Sequence, residues 1–186
     1  MTHHRQSRMM ASRPHRRQVL ARAALLVGCL FGTALPARAQ QVGTASGLPV
    51  PRYVSLKSDH VNLREGPSKE HRTLWIYQRA GLPVEITAEF ETWRKIRDSE
   101  GTEGWVLHSL LSGRRTALVA PWKKEALLPL RSSAADGAGL AANLQAGVLV
   151  NVKRCDGSWC RVFGDNFDGY MLQTNLWGVY PDEHID

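Results

Sequence analysis

Beyond residue 39 the apolar positions come in short runs that alternate with polar ones, as at Val84, Ile86 and Ala88, or Val148, Val150 and Val152. Each run is bounded by Gly, Pro, Asp or Ser, which is the grammar of strands and turns. No stretch there sustains helical spacing over three turns; residues 134–144 offer at most one irregular turn. The pattern predicts an all-β chain.

The runs are duplicated. Gly81-Leu82-Pro83-Val84-Glu85-Ile86 lies over Gly147-Val148-Leu149-Val150-Asn151-Val152, and the same offset puts Trp93 on Trp159 and Ile96 on Val162. Gly104-Trp105-Val106 then falls on Gly169-Tyr170-Met171, and upstream Leu63-Arg64 falls on Leu130-Arg131. Two copies of roughly 60 residues, each with several short strands, suit two small barrels better than one open sheet, because closure removes exposed edges. Domains of that size bury little area. Trp93 and Trp159, each just after a turn, are expected to cap the two cores, with Tyr170 also inside. Glu85, Glu89, Glu91 and Glu103 read as outward strand and turn charges.

The first 39 residues read differently. Arg5, Arg8, Arg13, Arg16, Arg17 and Arg22 precede an uncharged stretch from Ala23 to Leu35, and Ala37-Arg38-Ala39 has the small residues of a cleavage site. A signal peptide removed after Ala39 is the expectation. Its apolar run falls short of the roughly 20 residues that span a bilayer, so no retained transmembrane anchor is expected. His15-Arg16-Arg17-Gln18-Val19-Leu20 resembles a twin-arginine signal and Leu26-Val27-Gly28-Cys29 a lipoprotein box, both ranked below plain secretion to the periplasm or beyond.

Cleavage changes the charge argument, since the chain's net charge of +7 lies in the leader's arginines. The mature chain is formally neutral. The uniformly basic surface that drives nucleic-acid binding is absent, so no nucleic-acid partner is expected. Cleavage also leaves Cys155 and Cys160, flanking Asp156-Gly157-Ser158-Trp159. An Asp-Gly turn between strands lets the pair face each other across a hairpin, and an exported protein keeps disulfides, so a local bridge is predicted.

Catalytic chemistry finds no foothold. A nucleophile must be held beside a base, yet both cysteines are spoken for and no glycine-flanked serine elbow occurs. His60, His71, His108 and His184 lack metal-ligand spacing. No catalytic residue, metal or cofactor is expected. The candidates for binding are rings on irregular segments, which offer contact area at small entropic cost. Trp75 and Tyr77 are the first choice, with Arg64 and Trp105 as rim partners, while Trp122, followed by Lys123-Lys124, can wedge between the copies or meet a partner.

Val61-Asn62-Leu63-Arg64-Glu65-Gly66-Pro67-Ser68 resembles the opening signature of the bacterial SH3 family, of the periplasmic alphaproteobacterial type with paired domains. Trp93-Arg94-Lys95-Ile96, residues 104–111 and Leu176-Trp177-Gly178-Val179-Tyr180-Pro181 support the resemblance. It implies two tandem SH3-like β-barrels after the cleaved signal: a flexible start at 40–52, module 1 at 53–111, a linker at 112–125, module 2 at 126–181 and a tail at 182–186. It further implies a non-enzymatic envelope module that binds peptidoglycan peptide or a protein segment. A scaffold without a small ligand and an accessory subunit of a cell-wall hydrolase are the alternatives. Module 2 departs from the signature: Leu130-Arg131-Ser132-Ser133-Ala134-Ala135 lacks the Gly-Pro bend, and Ala138–Ala142 stands where module 1 carries Trp75 and Tyr77. Leu176–Tyr180 is expected to be a last strand or a segment that docks the modules together.

Overall fold

The computed structural model describes residues 41–186, so the expected signal peptide and Cys29 lie outside the described residues. Strands β1 (Gln41–Val42) and β2 (Pro49–Val50) make a short hairpin. β3 (Arg52–Leu56), β4 (Val61–Arg64), β5 (Thr73–Tyr77), β6 (Pro83–Phe90), β7 (Trp93–Arg97), β8 (Glu103–Leu107) and β9 (Leu111–Ser112) build a sheet of order β5-β4-β8-β7-β6-β3-β9. The second sheet uses β10 (Thr116–Val119), β11 (Leu127–Arg131), β12 (Leu140–Gln145), β13 (Leu149–Asp156), β14 (Trp159–Phe163), β15 (Asp168–Leu172) and β16 (Leu176–Trp177). Its order is β12-β11-β15-β14-β13-β10-β16, and β17 (His184–Ile185) pairs with β13.

The two orders are the same permutation, so the duplication seen in sequence is a duplication of topology. Short 3-10 helices, His108–Leu110 and Gln173–Asn175, precede β9 and β16 at equivalent places. The shared Gly104 and Gly169 have a common cause. A Cβ on Gly104 would sit 2.8 Å from the Arg64 carbonyl, and one on Gly169 would sit 2.6 Å from that of Arg131. At both positions β8 or β15 passes too close to its neighbour for a side chain.

Each sheet curls around its own apolar core, one including Leu56, Leu63, Ile86, Ile96 and Val106, the other Leu130, Val150, Cys160, Val162 and Met171. The all-β, two-module reading holds, but the pairing path of each sheet runs from edge to edge without closing. The modules are open curled sheets whose edges are β5 and β9, and β12 and β16.

Other expectations change. The segment read as a linker, 112–125, contains β10, which pairs with both β13 and β16. Thr116-Ala117-Leu118-Val119 is buried at every position, so it shows no alternation to flag a strand. Of the start expected to be flexible, residues 41–52 are pinned as the β1–β2 hairpin and the first residue of β3, with Val50 buried. The tail contributes β17.

Trp93 and Trp159 do not cap the cores. Core-facing positions on β7 and β14 are Arg94 and Ile96, and Cys160 and Val162, so both indoles lie on the opposite faces. Trp93 is still buried, beside a small cavity that Arg64 and Lys69 also line, whereas Trp159 is half-buried beside Tyr170, which is also half-buried and outside the core. Two carboxylates expected outside are buried. A bulge between Ile86 and Ala88 shifts the alternation so that Glu89 turns inward, and Glu85, although on the outer face, is covered by Tyr180.

Candidate functional site

The modules meet along the outer face of β3 and β6. Tyr53 packs edge-on against Trp177, with ring centroids 5.3 Å apart, and against Tyr180 at 4.6 Å. The Tyr180 hydroxyl donates to Glu85 Oε1 at 2.8 Å, and Arg97 Nε donates to Glu85 Oε2 at 3.0 Å. Burial, then the hydrogen bond to the Glu85 carboxylate, holds the Tyr180 phenol above its ordinary range and keeps it a donor. Thr116 Oγ1 donates to the Gly81 carbonyl at 2.7 Å. Gly178, at φ +119°, lets the chain turn here, because a Cβ would fall 2.4 Å from the Thr116 carbonyl.

Beside this junction a groove of about 550 Å³ runs between the modules. Module 1 supplies Trp75, Tyr77, Arg79, Leu82, Pro83, Val84 and the 98–102 turn; module 2 supplies Leu118, Pro121, Lys124, Glu125, Ala146 and Gly147. The Tyr77 hydroxyl donates to Asp98 Oδ2 at 2.9 Å, while Asp98 Oδ1 accepts the Glu100 and Thr102 amides at 3.0 and 2.9 Å. Burial, then the Asp98 charge and hydrogen bond, raise the Tyr77 phenol well above its ordinary value. The hydroxyl therefore stays protonated and locks the 98–102 turn against β5. Trp75 has no such anchor and stands exposed at the mouth of the groove.

The four residues chosen from sequence thus separate. Trp75 and Tyr77 line the groove. Arg64 and Trp105 lie together on the outer face, as ladder partners on β4 and β8. Arg64 Nη1 donates to the carbonyls of Lys69 and His71 at 2.9 and 2.8 Å, which ties down the loop after β4, whose Lys69 borders the same small cavity as Trp93. The groove's second wall was missed, since Pro121, Lys124 and Glu125 fall in the supposed linker. The signal for Gly147 was available in its alignment with Gly81.

Cys155 and Cys160 are bonded, as expected, with Cα atoms 4.1 Å apart. They are direct ladder partners on β13 and β14, and both belong to the second core. Among the described residues no cluster of three or more His, Cys, Asp or Glu is arranged to hold a metal ion.

A family model described as the bacterial SH3 domain matches the chain twice, over residues 57–113 and 124–178. No curated protein matches. Among solved structures, those of NlpC2 and NlpC1 from Trichomonas vaginalis are each 15% identical to the chain with a TM-score of 0.31. The alignments cover 68% and 73% of this chain and 48% of each of theirs, so the chain spans about half the length of these structures.

Proposed function

The chain belongs to the bacterial SH3 domain family, and we propose that it is an exported, non-enzymatic binding protein of the cell envelope whose inter-module groove takes a peptide. The ligand is the peptide of peptidoglycan or a segment of an envelope protein. The observation that carries this reading is the pairing of an exposed ring, Trp75, with a groove of about 550 Å³ whose walls come from both modules. Concave, largely apolar sites with a few polar groups are where small ligands and peptides bind.

The bonded Cys155–Cys160 pair supports export, because such bonds persist in oxidising compartments. The lining contains neither cysteine nor histidine, and Asp98 is consumed by Tyr77 and two backbone amides, which supports binding over catalysis. A scaffold role draws on a different observation, the bonded junction of Tyr53, Trp177, Tyr180 and Glu85, which joins the modules into one body.

Co-sedimentation of the purified protein with isolated peptidoglycan tests the proposal. With the wall peptide as ligand the wild type should pellet, and Trp75→Ala, checked by circular dichroism for an intact fold, should stay largely in solution. Undiminished pelleting of the variant removes the groove from the site. Absence of pelleting by the wild type transfers the role to a protein ligand.

A further inference from the structure

We infer that the groove takes its ligand as an added β-strand: an extended segment of L-polypeptide that pairs with the free edge of β5 and carries apolar side chains at alternate positions. This rests on the groove being the binding site and names the class of ligand. Among the described residues β5 pairs on one side only, with β4, and ends the sheet. Past the irregularity at Leu74, its other side offers the amide and carbonyl groups of residues 75–77 at strand spacing, which an extended polypeptide satisfies.

The side chains on this edge are the second observation. Leu74, Trp75 and Ile76 are consecutive, apolar, and 41%, 59% and 41% exposed. Natural edge strands are normally blunted by charge, proline, bulges, short length or a covering segment, because a bare apolar edge invites pairing. The fold does not require these residues, and the second module proves it. The ladders place Trp75 opposite Leu63 and Ala142 opposite Leu130, and Ile76 opposite Asn62 and Asn143 opposite Pro129. The repeat equates Leu63 with Leu130, so the run Leu74-Trp75-Ile76 occupies the positions of Ala141-Ala142-Asn143. At these three positions one edge carries large apolar side chains where its twin carries two alanines and an asparagine, although β12 still exposes Leu140.

Alternation links the edge to the groove. Trp75 and Tyr77 project from the same face of β5, over the groove, while Ile76 projects from the other and Leu74 sits in the irregularity between the Arg64 and Leu63 pairings. A strand laid along β5 therefore directs every second side chain toward the groove. Rim charges of both signs await its polar positions: Arg79 and Glu100 from module 1, Lys124 and Glu125 from module 2.

The test uses synthetic L-heptapeptides with Val, Leu or Phe at alternate positions and Lys or Glu between them. Each is titrated against the purified protein while hydrogen exchange is followed segment by segment. At least one should bind and slow exchange of the 73–77 amides tenfold or more, and its mirror-image D-peptide should bind at least tenfold more weakly. The triple variant Leu74→Ala, Trp75→Ala, Ile76→Asn installs residues that the same fold already carries in module 2, and it should fold normally and lose the peptide at least tenfold. Failure of every peptide to protect β5, equal binding of the D-peptide, or a concentration-dependent dimer formed through β5 overturns the inference. Wall binding that is lost in Trp75→Ala, with no protection of β5 by any peptide, sinks strand addition while leaving the groove reading in place.

Discussion

Glu89 faces Arg94 across the β6–β7 ladder at the register that Cys155 and Cys160 occupy on β13 and β14. Both pairs turn inward behind equivalent bulges, one between Ile86 and Ala88 and the other between Val152 and Arg154. The first copy fills the position with charge: Glu89 Oε1 lies 3.3 Å from Arg94 Nε and 2.8 Å from Arg52 Nη2, and its side chain is fully buried. The second copy fills it with a covalent bond. The surroundings match this difference. The Ser46 and Ala45 amides and the Ser46 hydroxyl converge on Glu89 from the β1–β2 hairpin, whereas β17 lies along β13 beside Cys155.

Replacing Glu89 by Ala leaves Arg94 and Arg52 without their buried counter-charge and releases the hairpin. Breaking one side of a buried ion pair costs about 3 kcal/mol. Urea denaturation should show a loss of that order, with proteolysis in the 41–50 segment appearing before global unfolding. A loss below about 1 kcal/mol would contradict the anchoring role.

The same carboxylate sets an acid limit. Burial works against its charge, but hydrogen bonds from Ser46, Arg52 and Ala45 outweigh burial and bring its pKa from the ordinary 4.5 down to about 2. A lowered folded-state pKa stabilises the fold fully above the unfolded value and loses that contribution as pH falls through the folded one. Stability should therefore decline between pH 4.5 and about 2, and Glu89→Gln should flatten the decline in that window. Equal slopes for the two proteins across a urea series in this range would refute the assignment.

Replacing Cys155 and Cys160 by Ser opens a very short loop, for which the chain-entropy argument gives about 2 kcal/mol. Calorimetry should show a lower melting temperature, and wild type in reductant should approach the double variant. Identical melting of oxidised wild type and variant would mean that the bond contributes nothing to folding.

The junction gives the fourth prediction. Tyr180→Phe removes the hydroxyl that donates to the buried Glu85 Oε1, at a cost of about 1 to 2 kcal/mol. Truncation before Leu176 removes more: β16, the Trp177 ring on Tyr53, and Tyr180 itself. Thermal melting of the truncated protein should shift downward by several degrees and lose its sharpness. An unchanged melting curve would show that Leu176–Tyr180 does not hold the modules together.

Much of this architecture was legible in the chain. Local patterns carry local structure, so the duplicated alternation around Val84 and Val150, the shared glycines at 104 and 169, and the turn between Cys155 and Cys160 pointed to strands, a repeat and a bond. Trp75 and Tyr77 read as rings on an irregular segment; both line the groove, but they stand on strand β5, whose consecutive apolar residues hide its alternation. Where the reading went astray, the missing information lay at a distance. A bulge of one residue reverses which side Glu89 faces, and β10 is covered on both sides, so neither has a periodic signature. Large apolar rings suggested cores for Trp93 and Trp159, yet strand parity relative to Ile96 and Val162 puts them on the other face.

Period-two patterning, turn residues and self-similarity are written in neighbouring residues, and they sufficed for two copies of one all-β unit with a bonded hairpin in the second. The groove depends on residues far apart in the chain coming together, such as Trp75 and Lys124 along its walls or Tyr53 against Trp177, and on how two curled sheets pack. No local pattern encodes that packing, because burial of an outer face such as that of Tyr53 and Glu85 exists only once the second module has been laid against it.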